Sequence, residues 1–148
     1  MYQRILVPTD GSSTSERGLK EAIALAKLSG GRIRLLHVVD AMSVAIGADG
    51  FASYSAELLP LLHDAGNEIL RRARGSVEAA GVAVDFTLRE VLSGRVADQV
   101  VEEAAAWKAD LIVIGTHGRR GVRRLILGSD AEQVLRAANV PVLLVRGE

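Results

Sequence analysis

Three glycines and a hydroxyl stand at fixed offsets late in the chain: Gly115, two residues, Gly118, nine residues, then Gly128 and Ser129. An apolar run ending at Ile114 precedes them, and a run with helical spacing follows. Glycine lets backbone N–H groups approach an anion with no Cβ in the way. A helix opening at Ser129 would add the positive end of its dipole to the same spot. The pattern suits a phosphate cradle and points to a nucleotide. A second reading stays open, a strand–loop–helix connection in which Ser129 is only a cap, because Ser129-Asp130-Ala131-Glu132 has capping-box spacing. The Gly-Lys-Ser/Thr triplet of a Walker A loop is absent, and the dinucleotide fingerprint belongs after a first strand.

The residues around this motif carry alternatives of the same kind. Arg119, Arg120, Arg123 and Arg124 lie in the spacer. One or two can meet a β- or γ-phosphate with guanidinium forks. Side chains so close in sequence cannot all face one ligand, so the others read as a solvated basic loop. Asp10 directly follows the first apolar run, where a carboxylate can bond ribose hydroxyls or hold a magnesium ion through water. It equally suits a turn or cap in Asp10-Gly11-Ser12. His37, inside an apolar run, reads as a satisfied core histidine, and His63 as a helix-surface residue. His117 falls in a tight turn whose backbone matters more than its ring. The three have no metal-ligand spacing. Ser129, His117 and Asp10 do not read as a hydrolytic triad, since the Gly-x-Ser-x-Gly elbow is absent.

The elements that must position these groups follow from periodicity. Ile5-Leu6-Val7 reads as a buried strand ending at Pro8. Ser13-Thr14-Ser15-Glu16 has capping-box spacing and opens a helix with Leu19, Ala22, Ile23 and Ala26 on its core face. Gly30-Gly31 stops it. Ile33 to Val39 is the second strand, and Asp40 to Ser55 reads as a mobile surface loop. Leu58, Leu62, Ala65, Ile69, Ala73 and Val77 mark a long amphipathic helix, and Val82 to Leu88 a third strand. After Gly94 comes a helix with Val96, Val100, Val101 and Ala104 inward. Leu111 to Ile114 is the fourth strand, Ser129 to Ala138 the last helix and Val142 to Val145 the last strand. Alternating apolar strands and helices predict a parallel sheet covered on both faces. Right-handed crossovers make it a doubly wound open sandwich, with ligands at the carboxyl ends of strands where the winding reverses. If the first and fourth strands are neighbours, Pro8-Thr9-Asp10 and the glycine motif line one crevice. The last strand is strongly apolar and suits pairing with a second copy.

Composition narrows the function classes. The 148 residues suit a single domain, 1–148, and 49% hydrophobic with 24% charged residues is a globular balance. Eighteen basic residues cancel eighteen acidic ones, which gives no global attraction to nucleic acid or an anionic membrane. Aromatic residues are 3% of the chain, too few for a base-stacking platform. There is no cysteine, which excludes a disulfide framework, a thiolate nucleophile and a thiolate zinc site. The chain enters a strand pattern at once, and no apolar run approaches the roughly 18–20 residues of a membrane helix. The expectation is a cytoplasmic protein with no signal peptide and no membrane or nucleic-acid partner.

The motif Gly-x2-Gly-x9-Gly-Ser, the opening Ile5-Leu6-Val7-Pro8-Thr9-Asp10-Gly11-Ser12, the core from Asp110 to Gly118 and the ending Asn139-Val140-Pro141-Val142-Leu143-Leu144-Val145 resemble the universal stress protein family over nearly the whole chain. The complete glycine motif is similar to that of its ATP-binding branch. The resemblance implies a three-layer α/β/α open sandwich of the adenine-nucleotide α-hydrolase-like kind, a five-stranded parallel sheet in order 3-2-1-4-5, and a homodimer paired through the last strands. It also implies site roles. Pro8, Thr9 and Asp10 flank the adenosine, with Asp10 near the ribose, and Val38 offers its backbone to the adenine edge. Ile114, Gly115, His117 and Gly118 wrap the ribose and α-phosphate. Gly128, Ser129, Asp130 and Ala131 meet the β- and γ-phosphates. The implied cofactor is ATP with magnesium or manganese. Asp130 departs from the small or apolar residue usual in the family: it either faces away as an N-terminal helix acid, recruits a metal ion, or weakens ATP binding. No general base is evident in the motif, so slow or absent ATPase activity is expected of a regulatory, stress-response protein with an unidentified protein partner. The alternatives are a metal-dependent ATP hydrolase or phosphotransferase with Asp10 or Asp130 holding the metal, and a nucleotide-independent interaction module.

Overall fold

The computed structural model describes residues 1–41, 58–116 and 127–147. His117, Gly118, the four spacer arginines and all of the expected 40–55 loop beyond Ala41 lie outside the described residues. The elements are β1 (Arg4–Pro8), α1 (Ser13–Ser29), β2 (Arg32–Asp40), α2 (Leu58–Ala79), β3 (Val84–Val91), α3 (Val96–Trp107), β4 (Leu111–Gly115), α4 (Ser129–Ala137) and β5 (Val142–Val145). The five strands form one parallel sheet in the order β3-β2-β1-β4-β5. This is the expected doubly wound topology, and β5 is an edge strand.

The short strands are apolar on both sides because helices cover both faces. Ile5 and Val7 of β1 and Leu111 and Val113 of β4 pack with Leu19, Ala22 and Ala26 of α1 and Leu70, Ala73 and Val77 of α2. Leu6, Ile112 and Ile114 point the other way, onto Ala97, Val100, Ala104 and Trp107 of α3 and Ala131 and Val134 of α4. Two helices therefore lie on each face.

Several expected details shift for local reasons. Ser12, not Ser13, caps α1: its side chain accepts from Ser15 N–H at 3.2 Å, and its own N–H donates to Asp10 Oδ1 at 2.9 Å. Gly128 is the N-cap of α4, so Ser129 is the first helical residue rather than the cap. Strand β3 pairs with β2 from Val84 to Val91. Val82 is apolar because it folds back on the end of α2, donating its N–H to Val77 O. Arg89 and Glu90 belong to the strand despite their charge, each paired to a neighbouring helix, Arg89 with Glu102 and Glu90 with His63. In α3, Val101 is only half-buried, and Ala97 and Trp107 join Val100 and Ala104 inside.

At the amino ends of the strands, Asp110 staples β1 to β4. Its carboxylate accepts from Gln3 N–H at 2.8 Å and Arg4 N–H at 3.0 Å. Beside it the guanidinium groups of Arg4 and Arg34 lie over the Trp107 ring, 4.7 and 4.9 Å from its centroid, a cation–π arrangement. Arg34 also bonds Asp85 at 2.6 Å and the buried Glu103 at 2.8 Å. The bond to Asp85 raises the Arg34 pKa above the ordinary guanidinium value, against the opposing effect of its burial.

The carboxyl ends are looser. The β1–β4 ladder has two registered pairs, Ile5 with Leu111 and Leu6 with Ile112, while β1 runs on to Pro8 and β4 to Gly115. A crevice opens between those ends, at the point where the winding reverses. Helix α1 closes its floor by lying on the end of β4. A Cβ on Gly115 would come within 2.8 Å of Thr14 Cγ2 and 3.0 Å of the Thr14 carbonyl group. Gly115→Ala should therefore destabilise the protein by about 1–3 kcal/mol through overpacking. Gly75→Ala, at an exposed position in α2 with open space around it, should stabilise it by roughly 0.5–1 kcal/mol. Urea denaturation of the two variants checks the opposite signs.

Candidate functional site

The crevice widens into a cleft of about 890 Å³ at the carboxyl end of the sheet. Pro8, Thr9 and Asp10 come to it from the end of β1, and residues Leu36 to Asp40 from β2. Ile114, Gly115 and Thr116 come from β4, and Leu127 to Val134 from the start of α4. Of the residues expected at the site, Pro8, Thr9, Asp10, Val38, Ile114, Gly115, Gly128, Ser129, Asp130 and Ala131 all line this one cleft. His117 and Gly118 lie outside the described residues.

The β1 end is held rigidly. Thr9 N–H donates to Leu36 O at 2.8 Å, continuing the strand pairing by one residue. Ser15 Oγ donates its single proton to Ser12 O at 2.9 Å, so Thr9 Oγ1 donates to Ser15 Oγ, 3.3 Å away. The Thr9 carbonyl accepts from His37 Nδ1 at 2.8 Å. A carbonyl can only accept, so Nδ1 carries the proton and the tautomer is fixed. The expectation of a satisfied core histidine is right about the hydrogen bond but not about the place, because His37 lines the cleft and is only half-buried. Its ring fits under α2 because residue 66 is glycine. A Cβ there would come within 2.6 Å of His37 Cδ2.

The opposite wall is the start of α4. Gly128 N–H donates to Thr116 O at 2.6 Å. That bond seats the helix on the end of β4. The first intrahelical bond is Glu132 N–H to Gly128 O at 2.9 Å. The N–H groups of Ser129, Asp130 and Ala131 precede it and form the positive end of the helix, beside the cleft. Gly115 also has a packing use: its missing Cβ admits Thr14.

Leu62, Ala65 and Ile69 belong to the apolar stripe that marks α2 as amphipathic. In the structure they line the cleft, and the buried ridge is Gly66, Leu70, Ala73 and Val77. With Val38 and Val39 they give one side of the cleft an apolar wall suited to a flat ring. A helical stripe signals apolar contact without saying whether the contact is a core or a ligand, so the spacing alone could not have separated the two.

The charge of the lining is one-sided among the described residues. Asp10, Asp40, Asp130 and Glu132 contribute four carboxylates, and Arg95 one guanidinium. No group of three or more His, Asp or Glu side chains among the described residues is arranged to hold a metal ion. No helix among them is long and apolar enough to cross a membrane.

A model of the universal stress protein family matches residues 1–146, and the chain belongs to that family. It is 39% identical over 147 residues to universal stress protein MJ0531 of Methanocaldococcus jannaschii, a match that covers 99% of this chain and 83% of that protein. The solved structure of MJ0577 from the same organism is similar with a TM-score of 0.84 at 30% identity, over 100% of this chain and 98% of that one. A universal stress protein of Archaeoglobus fulgidus, solved in complex with dAMP, is similar with a TM-score of 0.70 at 26% identity, over 97% of this chain and 98% of that one.

His37→Leu removes the donor to the Thr9 carbonyl and should cost about 1–3 kcal/mol, the penalty for a carbonyl left without its partner. His37→Asn, whose amide can donate in place of Nδ1, should recover part of it. Thermal melts of the two variants against the parent decide this.

Proposed function

We propose that the cleft binds an adenine nucleotide, ATP with a magnesium or manganese ion, and that the protein is a cytoplasmic regulator of a stress response rather than a fast enzyme. The observation that carries the reading is the convergence, at the switch point of the sheet, of an apolar wall with the N–H end of α4. The wall suits a base and the helix end suits phosphate. The dAMP complex of the Archaeoglobus fulgidus relative supports adenine as the base.

Adenine would lie along Val38 and the α2 wall, with Asp10 at the ribose. The phosphates would run toward Ser129 and Ala131. The carboxylates fit a hard cation: magnesium is commonly held by one or two carboxylates together with phosphate oxygens and water. Asp10 or Asp130 would hold it through water, and the cation would offset the repulsion between carboxylate and phosphates. Backbone-dominated phosphate binding holds ATP without hydrolysing it, since hydrolysis also requires a positioned water and charge stabilisation in the transition state. The protein would pair as a homodimer through residues 142–145 and change protein partner with its nucleotide state.

Release of bound nucleotide on denaturing the purified protein, followed by calorimetric titration with ATP and magnesium, tests the binding. ATP at 100 times its dissociation constant should add about 2.7 kcal/mol of stability. No nucleotide released and no heat of binding would leave an interaction module. Turnover above roughly 1 per second, the low end for typical enzymes, would make the protein a hydrolase instead. Asp130→Val should tighten magnesium-free ATP binding by roughly five- to tenfold, through loss of a like charge near the phosphates. An unchanged affinity would show that Asp130 faces away.

A further inference from the structure

Thr116 ends β4 with both backbone groups engaged. Its N–H donates to Val145 O at 2.9 Å and its carbonyl accepts from Gly128 N–H at 2.6 Å. The residue is 7% exposed and lines the cleft between Gly115 and the start of α4. Among the described residues its Oγ1 is the buried side-chain polar atom that has no hydrogen-bond partner. The neighbouring buried hydroxyls of Thr9 and Ser15 bond each other, so the region does not tolerate orphans in general. Buried polar side chains nearly always find a partner, and valine would fill the same space without a hydroxyl to satisfy.

Oγ1 itself is out of reach of solvent, so it turns away from the open cleft and meets a group held there only after rotation. The character of that group follows from the surroundings. The positive end of the nine-residue helix α4 adjoins Thr116 through the Gly128 bond, and that end favours an anion. A hydroxyl beside it has one proton to donate. Rotation about χ1 between staggered wells exchanges Oγ1 with the methyl group and breaks no hydrogen bond, because the hydroxyl makes none. Resting on the nucleotide reading above, we infer that the Thr116 hydroxyl donates to a phosphate oxygen of the bound nucleotide and belongs to the phosphate site together with the N–H groups of Ser129 and Ala131.

The test is the isosteric Thr116→Val, titrated with AMP, with ATP plus magnesium, and with adenosine, beside Thr116→Ser and the parent. Loss of a hydrogen bond to a charged oxygen should weaken AMP and ATP roughly ten- to hundredfold. Adenosine affinity should be unchanged, and Thr116→Ser should bind as the parent does. Unliganded Thr116→Val should melt at the same temperature as the parent or higher, since it loses an unsatisfied polar group. A purely structural hydroxyl would give the opposite melting shift. If the parent binds AMP and ATP and Thr116→Val binds them equally well, the inference is overturned while the nucleotide reading stands, and the hydroxyl's partner is water. Adenosine weakened in the same ratio would also overturn it, by placing the contact at the sugar. A parent that binds none of the three removes the nucleotide reading and this inference with it.

Discussion

The site depends on one steric condition: helix α1 lies against the carboxyl end of β4, and residue 115 has no side chain. Thr14 occupies the space a Cβ would need, and a Cβ on Gly18, one turn further along α1, would still meet Gly115 N at 3.5 Å. The same threonine supports the chain after β5, where a Cβ on Gly147 would come within 2.9 Å of Thr14 Oγ1. From this contact the rest follows. The start of α1 is brought beside Thr9, Ser15 can anchor the Thr9 hydroxyl, and Asp10 is held at the mouth of the crevice by its bond from Ser12. The first glycine of the motif thus builds the floor.

The two ends of the sheet divide the work. At the amino ends, Asp110, Arg4, Trp107, Arg34, Glu103 and Asp85 form a dense polar network in which Arg34 pairs with Asp85 and Glu103, and Asp110 accepts two backbone N–H groups. A buried carboxylate such as Glu103 would be costly alone, and its contacts with Arg34 at 2.8 Å and Arg89 at 3.6 Å answer that cost. At the carboxyl ends, the β1–β4 ladder stops early and the lining carboxylates outnumber the guanidinium among the described residues. The firm end sets strand spacing and register. The open end leaves backbone donors and an apolar wall facing a cavity.

Much of this was legible in the sequence. The apolar runs at 5–7, 33–39 and 111–114, with helical spacing between them, predict a doubly wound parallel sheet, while the order that sets β1 beside β4, and so Pro8–Asp10 at the same crevice as Gly128–Ala131, is implied by the family resemblance. What was not legible depends on contacts between elements. The α2 stripe looks the same in sequence whether Leu62 and Ile69 meet a strand or a cavity. Four hydroxyls in a row, Ser12, Ser13, Thr14 and Ser15, leave the cap of α1 undecided until Asp10 selects Ser12. His37 reads as a buried polar residue until the Thr9 carbonyl and Gly66 show what it holds and why it fits. Thr116 carries no sequence signal, because only the structure shows that its hydroxyl lacks a partner.

The two sheet edges differ, and that difference bears on how copies can add together. Edge strand β3 carries Asp85, Arg89 and Glu90, tied to charges on β2, α3 and α2, and such side chains discourage a stranger's strand from docking. Edge strand β5 is Val142-Leu143-Leu144-Val145, with Leu143 and the nearby Leu135 of α4 exposed. Endless strand-by-strand growth needs two receptive edges per copy, and this chain has one. Pairing of like with like across β5 would use up that edge and end at two copies. A charged border of this kind on β3 works against head-to-tail addition of copies, so growth through β5 would close on itself.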